Sequence, residues 1–188
     1  MALRKPAGAW TYDDHLTLPD DGRRYESIEG ELYEMPPPGW DHAIIVMTLI
    51  LLLAPQVQRL GGTLVTAPVD VFCAGANPVQ PDILALLPGS RASGESRGVD
   101  GPPDLIVEVL SPSNRVHDEV TKRALYARAG VREYWIVDPE AKTLEILALD
   151  RDALHSIAIA SGDDVPTSPL FGSLAVSVDS LFPDLDEA

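Results

Sequence analysis

The amino-acid sequence predicts an α/β protein of the α+β kind, in which a mixed central β-sheet is flanked by α-helices. Three observations lead to this prediction. Short apolar segments of strand length recur between residues 63 and 149. A strand, a helix and a second strand follow one another between residues 104 and 137, an order typical of a parallel crossover. That second strand and the next are joined through Asp138-Pro139, which indicates an antiparallel hairpin.

The N-terminal third is predicted to contain an arm, a hairpin and a long helix. Residues 1–22 mix proline, glycine and charge, which indicates a loosely packed arm. Two apolar pieces around Gly30 predict a short hairpin over Tyr25–Met35. After the break at residues 36–39, a helix is expected with Asp41 as its N-cap and Gly61-Gly62 at its end.

The remainder of the chain supplies the predicted sheet. The expected strands are Thr63–Phe72, Asp82–Leu87, Asp104–Leu110, Val131–Val137 and Thr143–Leu149, with weaker candidates at His155–Ala160 and Leu174–Val178. Residues 90–103 are rich in Gly, Ser, Arg and Pro and are predicted to form a mobile loop. A helix is expected from the turn at residues 111–114 to about Arg128, with Gly130 just past its end.

Length and composition fit one domain over residues 1–188. The chain has 188 residues, 45% of them hydrophobic, and no linker long enough to separate a second domain. A single cysteine excludes an internal disulfide framework and a multi-cysteine zinc site, in agreement with a cytoplasmic location. The apolar run Ala43–Ala54 is too short to span a bilayer, so no membrane contact is predicted. It instead indicates a buried or interfacial helix, and its apolar surface suggests a homodimer.

The net charge of −15 sets a condition on any nucleic-acid partner, since basic side chains supply most non-specific affinity for phosphates. Two interpretations remain open. Basic residues could gather on one face, or the protein does not grip a long duplex. The candidates for such a face are Arg91, Arg97, Arg115, Lys122, Arg123, Arg128 and Arg132.

Glu108 is the most informative residue, because it lies within Leu105–Leu110, an otherwise apolar strand. A buried carboxylate without a partner costs several kcal/mol or shifts its pKa, so a compensating group is expected. Asp82 opens the preceding strand, and Lys122 lies on the following helix. If the two strands are neighbours, Asp82 and Glu108 can meet across roughly 4.5–5.5 Å between their Cβ atoms.

Two such carboxylates predict a site for Mg²⁺ or Mn²⁺, since a divalent cation removes their mutual repulsion. The cation would polarise a scissile phosphate, and Lys122 could stabilise negative charge or orient the attacking water. Asp118, Lys122 and Tyr126 share a stripe of the helix at spacings of four.

Simpler interpretations stand beside this one. Glu108 could be a buried acid satisfied by a structural lysine or arginine, and Asp82 could merely start a strand after Pro81. Lys122 could be a solvated helix lysine paired with Asp118. A capping or packing role for His42 is as consistent with the sequence as catalysis.

Several segments together resemble the Uma-two family of restriction endonucleases, within the PD-(D/E)XK nuclease superfamily. These segments are Glu26–Leu32, His42, Pro81-Asp82, Pro103–Ser113, Asp118–Lys122, Leu125-Tyr126 and Gly130–Asp138. The resemblance covers roughly residues 25–149. It implies a restriction-endonuclease-like core and a Mg²⁺-dependent endonuclease that hydrolyses phosphodiester bonds of DNA.

The resemblance also implies roles for particular residues. Asp82 and Glu108 would hold the metal, and Glu31 would add an acid from the N-terminal segment. The superfamily lysine usually stands two residues after the acid, where this chain has Leu110, so Lys122 would replace it from the helix. The alternative is a catalytically inactive, nuclease-derived module that acts through protein–protein contacts as a dimer. Cleavage of a small or single-stranded nucleic acid is a third possibility.

Overall fold

The computed structural model describes residues 2–3, 9–18, 23–73, 78–112 and 115–182. The helices are α1 (Tyr12–His15), α2 (Trp40–Arg59) and α3 (Arg123–Ala129), and a π-helical turn, His117–Lys122, leads into α3. The strands are β1 (Ala2–Leu3), β2 (Arg24–Ile28), β3 (Glu31–Met35), β4 (Thr63–Thr66), β5 (Val71–Phe72), β6 (Ile83–Leu86), β7 (Ser93–Glu95), β8 (Gly98–Asp100), β9 (Leu105–Val109), β10 (Glu133–Asp138), β11 (Thr143–Asp150), β12 (Ala153–Ser161), β13 (Thr167–Ser168) and β14 (Gly172–Ser173).

The central sheet has the strand order β12-β11-β10-β9-β6-β4. β9 and β10 are parallel, as the crossover through α3 requires, and the other neighbours are antiparallel. The predicted mixed sheet is therefore confirmed. Ile83 pairs with Val107 across the antiparallel β6–β9 pair, which places Asp82 opposite Glu108.

Helices cover both faces of this sheet. On one face Leu105, Val107 and Val109 join a core with four residues of α2, which are Ile45, Leu49, Leu53 and Val57. On the other face Ile106 and Leu110 join a core with Leu125 and Tyr126 of α3. The predicted alternation is confirmed, so Glu108 points into the layer between the sheet and α3.

α2 begins at Trp40, one residue before the predicted cap. Its N-cap is Gly39 in an extended conformation, and the prediction that Asp41 caps the helix is wrong. The helix begins there because the three prolines that precede Gly39 cannot extend it toward the N-terminus. By length and composition, α2 is the one helix in the described ranges that could cross a membrane. Its inner face, however, is part of the core.

The structure corrects three other predictions, which concern two strands and one loop. The strand expected over Thr63–Phe72 is divided, since β4 belongs to the central sheet and β5 pairs with β8 instead. The loop expected over residues 90–103 contains the β7–β8 hairpin. Leu174–Val178 is not a strand. Leu174 and Val178 are buried in the core on the α2 side, Ala175 between them has a positive φ of 60°, and Val178 begins a 3₁₀ helix, Val178–Leu181.

The N-terminal arm is attached to the fold where the structure describes it. β1 pairs with β3, the Trp10 amide donates to the Gly30 carbonyl at 2.8 Å, and the Tyr12 ring packs edge-on against Phe72. Residues 1, 4–8 and 19–22 of the predicted arm lie outside the described residues.

Candidate active site

A buried lysine lies at the centre of a cluster of acids. Lys122 Nζ is 2.9 Å from Glu108 Oε1, 3.0 Å from Glu26 Oε1 and 3.3 Å from Asp118 Oδ1. The side chain of Lys122 is 1% exposed, so its charge is compensated by protein groups rather than by water. The interpretation of Lys122 as a solvated surface lysine is wrong, whereas its pairing with Asp118 is present.

The cluster is assembled from three separate parts of the chain. Glu26 comes from β2, Glu108 from β9, and Asp118 and Lys122 from the π-helical turn. A π-helical turn inserts an extra residue into a helix, a feature that is frequent at functional sites. The Tyr126 hydroxyl donates to Glu108 Oε1 at 2.9 Å, and the Tyr134 hydroxyl donates to the Asp118 carbonyl at 3.1 Å. The predicted stripe of Asp118, Lys122 and Tyr126 thus faces the cluster.

Asp82 approaches Glu108 from the neighbouring strand end. Its Oδ2 accepts the Val109 amide at 2.8 Å and is 3.0 Å from Nε2 of His42, which lies in the first turn of α2. These contacts fix the carboxylate next to β9. His42 therefore packs against a predicted metal ligand rather than capping its helix.

The acids face a common cavity of about 110 Å³, called the acidic cavity here. Its ionisable lining residues are Arg24, Glu26, His42, Asp82, Glu108, Asp118 and Lys122. Four carboxylates against one lysine and one arginine give this cavity a negative balance. Such a balance favours a cation as ligand.

Glu26 and Glu108, which both contact Lys122, have pKa values shifted in opposite directions. Burial raises the pKa of Glu26, but the Lys122 charge, a hydrogen bond with His117 and the Gln80 amide together lower it to about 2. Burial lowers the pKa of Lys122, yet the charges of Glu108, Glu26 and Asp118 raise it well above its usual value. Glu26 and Lys122 are therefore an ion pair at neutral pH.

Glu108 and Asp118 are the acids of the cluster whose pKa is raised. Burial raises the pKa of Glu108 well above its usual value, and the nearby charges of Asp118 and Asp82 raise it further against the effect of Lys122. Burial also raises the pKa of Asp118, again with Lys122 opposing. Asp118 Oδ1 is buried, and within the described residues its partner is Lys122 Nζ at 3.3 Å, without a well-formed hydrogen bond. A second cation in the acidic cavity would relieve both groups.

The donor set fits a metal that needs few protein ligands. The contacts of Asp82 engage Oδ2 and those of Glu108 engage Oε1, so the other oxygen of each has no hydrogen bond within the described residues. No group of three His, Cys, Asp or Glu side chains in the described ranges has the spacing of a ready metal site. Mg²⁺ is commonly held by one or two carboxylates, with waters and substrate phosphate completing its shell.

The sequence-predicted residues do not all meet. Asp82, Glu108 and Lys122 line one cavity, whereas Glu31 is exposed on β3 and accepts a hydrogen bond from the Tyr33 hydroxyl at 2.9 Å. The N-terminal acid of the cluster is Glu26, which the sequence reasoning did not single out. Its signal was its position two residues before the apolar Ile28, because that spacing puts both on one face of β2.

The seven candidates for a basic face all contact other groups of the protein. Within the described residues, Arg97, Arg115, Arg128 and Arg132 pair with acids, while Arg91 and Arg123 donate to backbone carbonyls. Of the seven, Lys122 lines the acidic cavity.

Known proteins resemble this chain in sequence and in fold. Residues 12–179 match the model of the Uma2 family, described as "Putative restriction endonuclease". A crystal structure from Anabaena variabilis ATCC 29413, described as "a putative nuclease belonging to DUF820", is similar with a TM-score of 0.73 and 22% sequence identity. The similarity covers 92% of this chain and 97% of that one. No curated protein matches the sequence.

Proposed function

The chain belongs to the Uma2 family of restriction endonucleases, and from this premise we propose that it is a PD-(D/E)XK-type nuclease that hydrolyses phosphodiester bonds of DNA. Asp82 and Glu108 hold a divalent cation, Mg²⁺ or Mn²⁺, in this proposal. The observation that carries it is the β6–β9 register, which places Asp82, the residue before β6, opposite Glu108 of β9. Each acid has one oxygen that accepts no hydrogen bond within the described residues.

Each group of the cluster has a distinct task in this proposal. A cation held by Asp82 and Glu108 supplies polarisation of the scissile phosphate. Lys122 keeps Glu108 in place at 2.9 Å and provides positive charge beside the phosphate. Glu108 and Glu26 keep Lys122 protonated, and His42 orients Asp82.

The acidic composition favours a short or single-stranded substrate. Acids outnumber bases 29 to 14, and the acidic cavity holds about 110 Å³. A single strand can enter a small site that a rigid duplex cannot reach, and it needs fewer phosphate contacts. The substrate of this proposal is therefore DNA whose strand is locally unpaired.

The test measures metal binding and cleavage separately. Asp82→Asn and Glu108→Gln are compared with Glu31→Gln, a matched control on the exposed side of β3. Wild type and the control should bind Mn²⁺ in calorimetry and cleave a labelled oligonucleotide. Both site variants should lose most Mn²⁺ binding and at least about 100-fold of the cleavage rate. Unchanged binding and cleavage in both site variants would overturn the assignment.

A second candidate function is a nuclease-derived module that no longer cuts and assembles as a homodimer. One observation favours it, since Lys122 is already saturated by three acids. The dimer would use the outer face of α2, where Trp40, Met47 and Leu51 are exposed by 68%, 53% and 70%. Absence of Mn²⁺ binding by the wild type would favour this candidate over the nuclease.

Sedimentation tests the dimer itself. Leu51→Glu places a charge at the centre of the exposed α2 face and should yield monomers. Ile159→Glu is the matched control, because Ile159 is equally exposed at 69% but lies on β12. A wild type that sediments as a monomer, or a dimer that persists in Leu51→Glu, would refute this use of α2.

A further inference from the structure

Arg24 differs from the other basic residues near the site because its side chain has no ion-pair or hydrogen-bond partner in the part of the chain that the structure describes. Within the described ranges, Arg24, Arg59, Lys142 and Arg151 make no ion pair or side-chain hydrogen bond. Arg59, Lys142 and Arg151 are exposed at the surface, whereas Arg24 is half-buried and lines the acidic cavity. A half-buried cation without a partner beside a proposed active site is a candidate for contact with substrate.

Strand geometry directs Arg24 toward the catalytic cluster. Arg24 and Glu26 lie two residues apart on β2, so their side chains share one face at a spacing of about 7 Å along the strand. The neighbouring Arg23 has a different environment. Arg23, the residue before β2, is 56% exposed and lies 3.6 Å from Glu34, and it lines neither of the cavities described here. The two adjacent arginines thus have different surroundings.

Arg24 also lines a second cavity of about 320 Å³, which joins the first. The two cavities share Arg24, Pro38, His42 and Asp82. The second is walled mainly by apolar groups, from Ala43, Val46, Thr66, Ala67 and Pro68. It is called the apolar cavity here. Arg24 therefore lies at the boundary between a charged compartment and an apolar one, with Asp82 at the same boundary.

This arrangement matches the alternation of a polynucleotide, in which charged phosphates alternate with largely apolar nucleosides. An anion placed among four carboxylates needs a local cation, and Lys122 is already engaged by three of them. A guanidinium donates two parallel hydrogen bonds to phosphate oxygens. The apolar cavity offers a surface of the kind on which a sugar or base packs.

We propose that Arg24 binds the phosphate next to the scissile one, with the attached nucleoside in the apolar cavity. This inference rests on the proposed nuclease function and names a substrate contact for it. Arg24 is then a positioning residue. It holds the strand so that the scissile phosphate reaches Asp82 and Glu108, and it takes no part in the bond that breaks.

The test is the salt dependence of binding, measured without divalent cation so that no cleavage occurs. Fluorescence anisotropy of a labelled single-stranded oligonucleotide is followed over a range of NaCl for Arg24→Ala, Arg24→Lys and the matched control Arg23→Ala. Arg24→Ala should weaken binding about tenfold and reduce the slope of log K against log salt by about 0.7, the loss of one phosphate contact. Arg24→Lys should keep the slope, and Arg23→Ala should resemble wild type.

Further outcomes would overturn the inference. Equal effects of Arg23→Ala and Arg24→Ala indicate a general effect of charge. A clear fall in the melting temperature of Arg24→Ala, beside its loss of affinity, indicates a structural role. Inorganic phosphate could compete with the oligonucleotide in wild type but not in Arg24→Ala. If Arg24→Ala then binds the oligonucleotide normally, Arg24 belongs to a site for free phosphate.

The nuclease proposal and this inference fail in different ways. Normal binding by Arg24→Ala, together with cleavage lost in Asp82→Asn, refutes the phosphate contact alone. A reduced salt slope in Arg24→Ala, together with no cleavage by the wild type, supports the contact and refutes the nuclease. If cleavage is present, Arg24→Ala should raise KM about tenfold and leave kcat within about twofold.

Discussion

Lys122 and Glu108 are joined by a 2.9 Å contact between Nζ and Oε1, although 14 residues and a change from strand to helix separate them. Both side chains are almost fully buried. The contact ties the π-helical turn to the centre of the sheet, and it places a positive charge within the layer that also holds Asp118 and Glu26. Stability and proposed chemistry therefore depend on the same ammonium group.

Lys122→Met should lower the free energy of unfolding by about 3–5 kcal/mol at pH 7, because it leaves three buried acids without their cation. The pKa of Lys122 is raised in the folded state, so its contribution is fully present below its ordinary value of 10.5 and is lost only as pH rises through the folded pKa. Urea denaturation measures the loss. Lys142→Met, which removes an exposed lysine, should change stability by less than about 0.5 kcal/mol.

Glu26→Gln should reduce cleavage at least about 100-fold while Glu31→Gln stays within about threefold of wild type. Glu26 contacts Lys122 at 3.0 Å inside the cluster, whereas Glu31 is exposed on the next strand. Single-turnover cleavage, with circular dichroism to verify folding, compares the two. A larger loss in Glu31→Gln would restore the role predicted for it from sequence.

Asp138→Asn should destabilise the protein through loss of a charged pair with Arg115. Arg115 donates from both Nη atoms to Asp138 at 2.7 and 2.9 Å, and this hydrogen bonding holds the pKa of Asp138 below its ordinary 3.8. The free energy of unfolding should fall by about 1–3 kcal/mol at pH 7. Since the folded pKa is lowered, the difference should shrink as pH falls below 3.8.

The control for this pair is Glu140→Gln, which alters a second acid near the same arginine. Glu140 is 84% exposed and lies 3.5 Å from Arg115, so its removal should cost less than about 0.5 kcal/mol. Denaturation at pH 7 and pH 3 separates the variants. An Asp138→Asn protein whose deficit is the same at both pH values would contradict the assignment.

Gly98→Ala should destabilise the β7–β8 hairpin by about 2 kcal/mol or more. Gly98 has a φ of 139°, and a Cβ there would collide with the carbonyl oxygen of Asp70, which accepts the Val99 amide at 2.8 Å. Gly89→Ala is the matched comparison, since Gly89 also has a positive φ of 80° but nothing lies within 4 Å of its Cβ position. It should cost about 1 kcal/mol, which is the backbone term alone. Equal denaturation midpoints for the two would contradict the steric argument.

Local patterns were sufficient to predict most of the central sheet. The crossover, the hairpin after Asp138 and the left-handed glycine at residue 130 were all predicted, because each depends on a few consecutive residues. The β7–β8 hairpin was missed because its residues are Gly, Ser and Arg, and its partner β5 is more than 20 residues away. Strand propensity does not report such a pairing.

The sequence by itself determined that Glu108 shares one face of β9 with Ile106 and Leu110, because side chains of a strand alternate with a period of two. The pairing of β6 with β9, which brings Asp82 opposite Glu108, is a property of the tertiary structure. Tertiary structure alone decided that Glu26, and not Glu31, completes the cluster, and that Lys122 is buried by it. The choice depends on contacts between residues 96 positions apart, and several glutamates near Gly30 offer similar local patterns. Which carboxylate is desolvated follows from how the hairpin packs against the π-helical turn, and a buried ammonium is retained only where enough acids surround it.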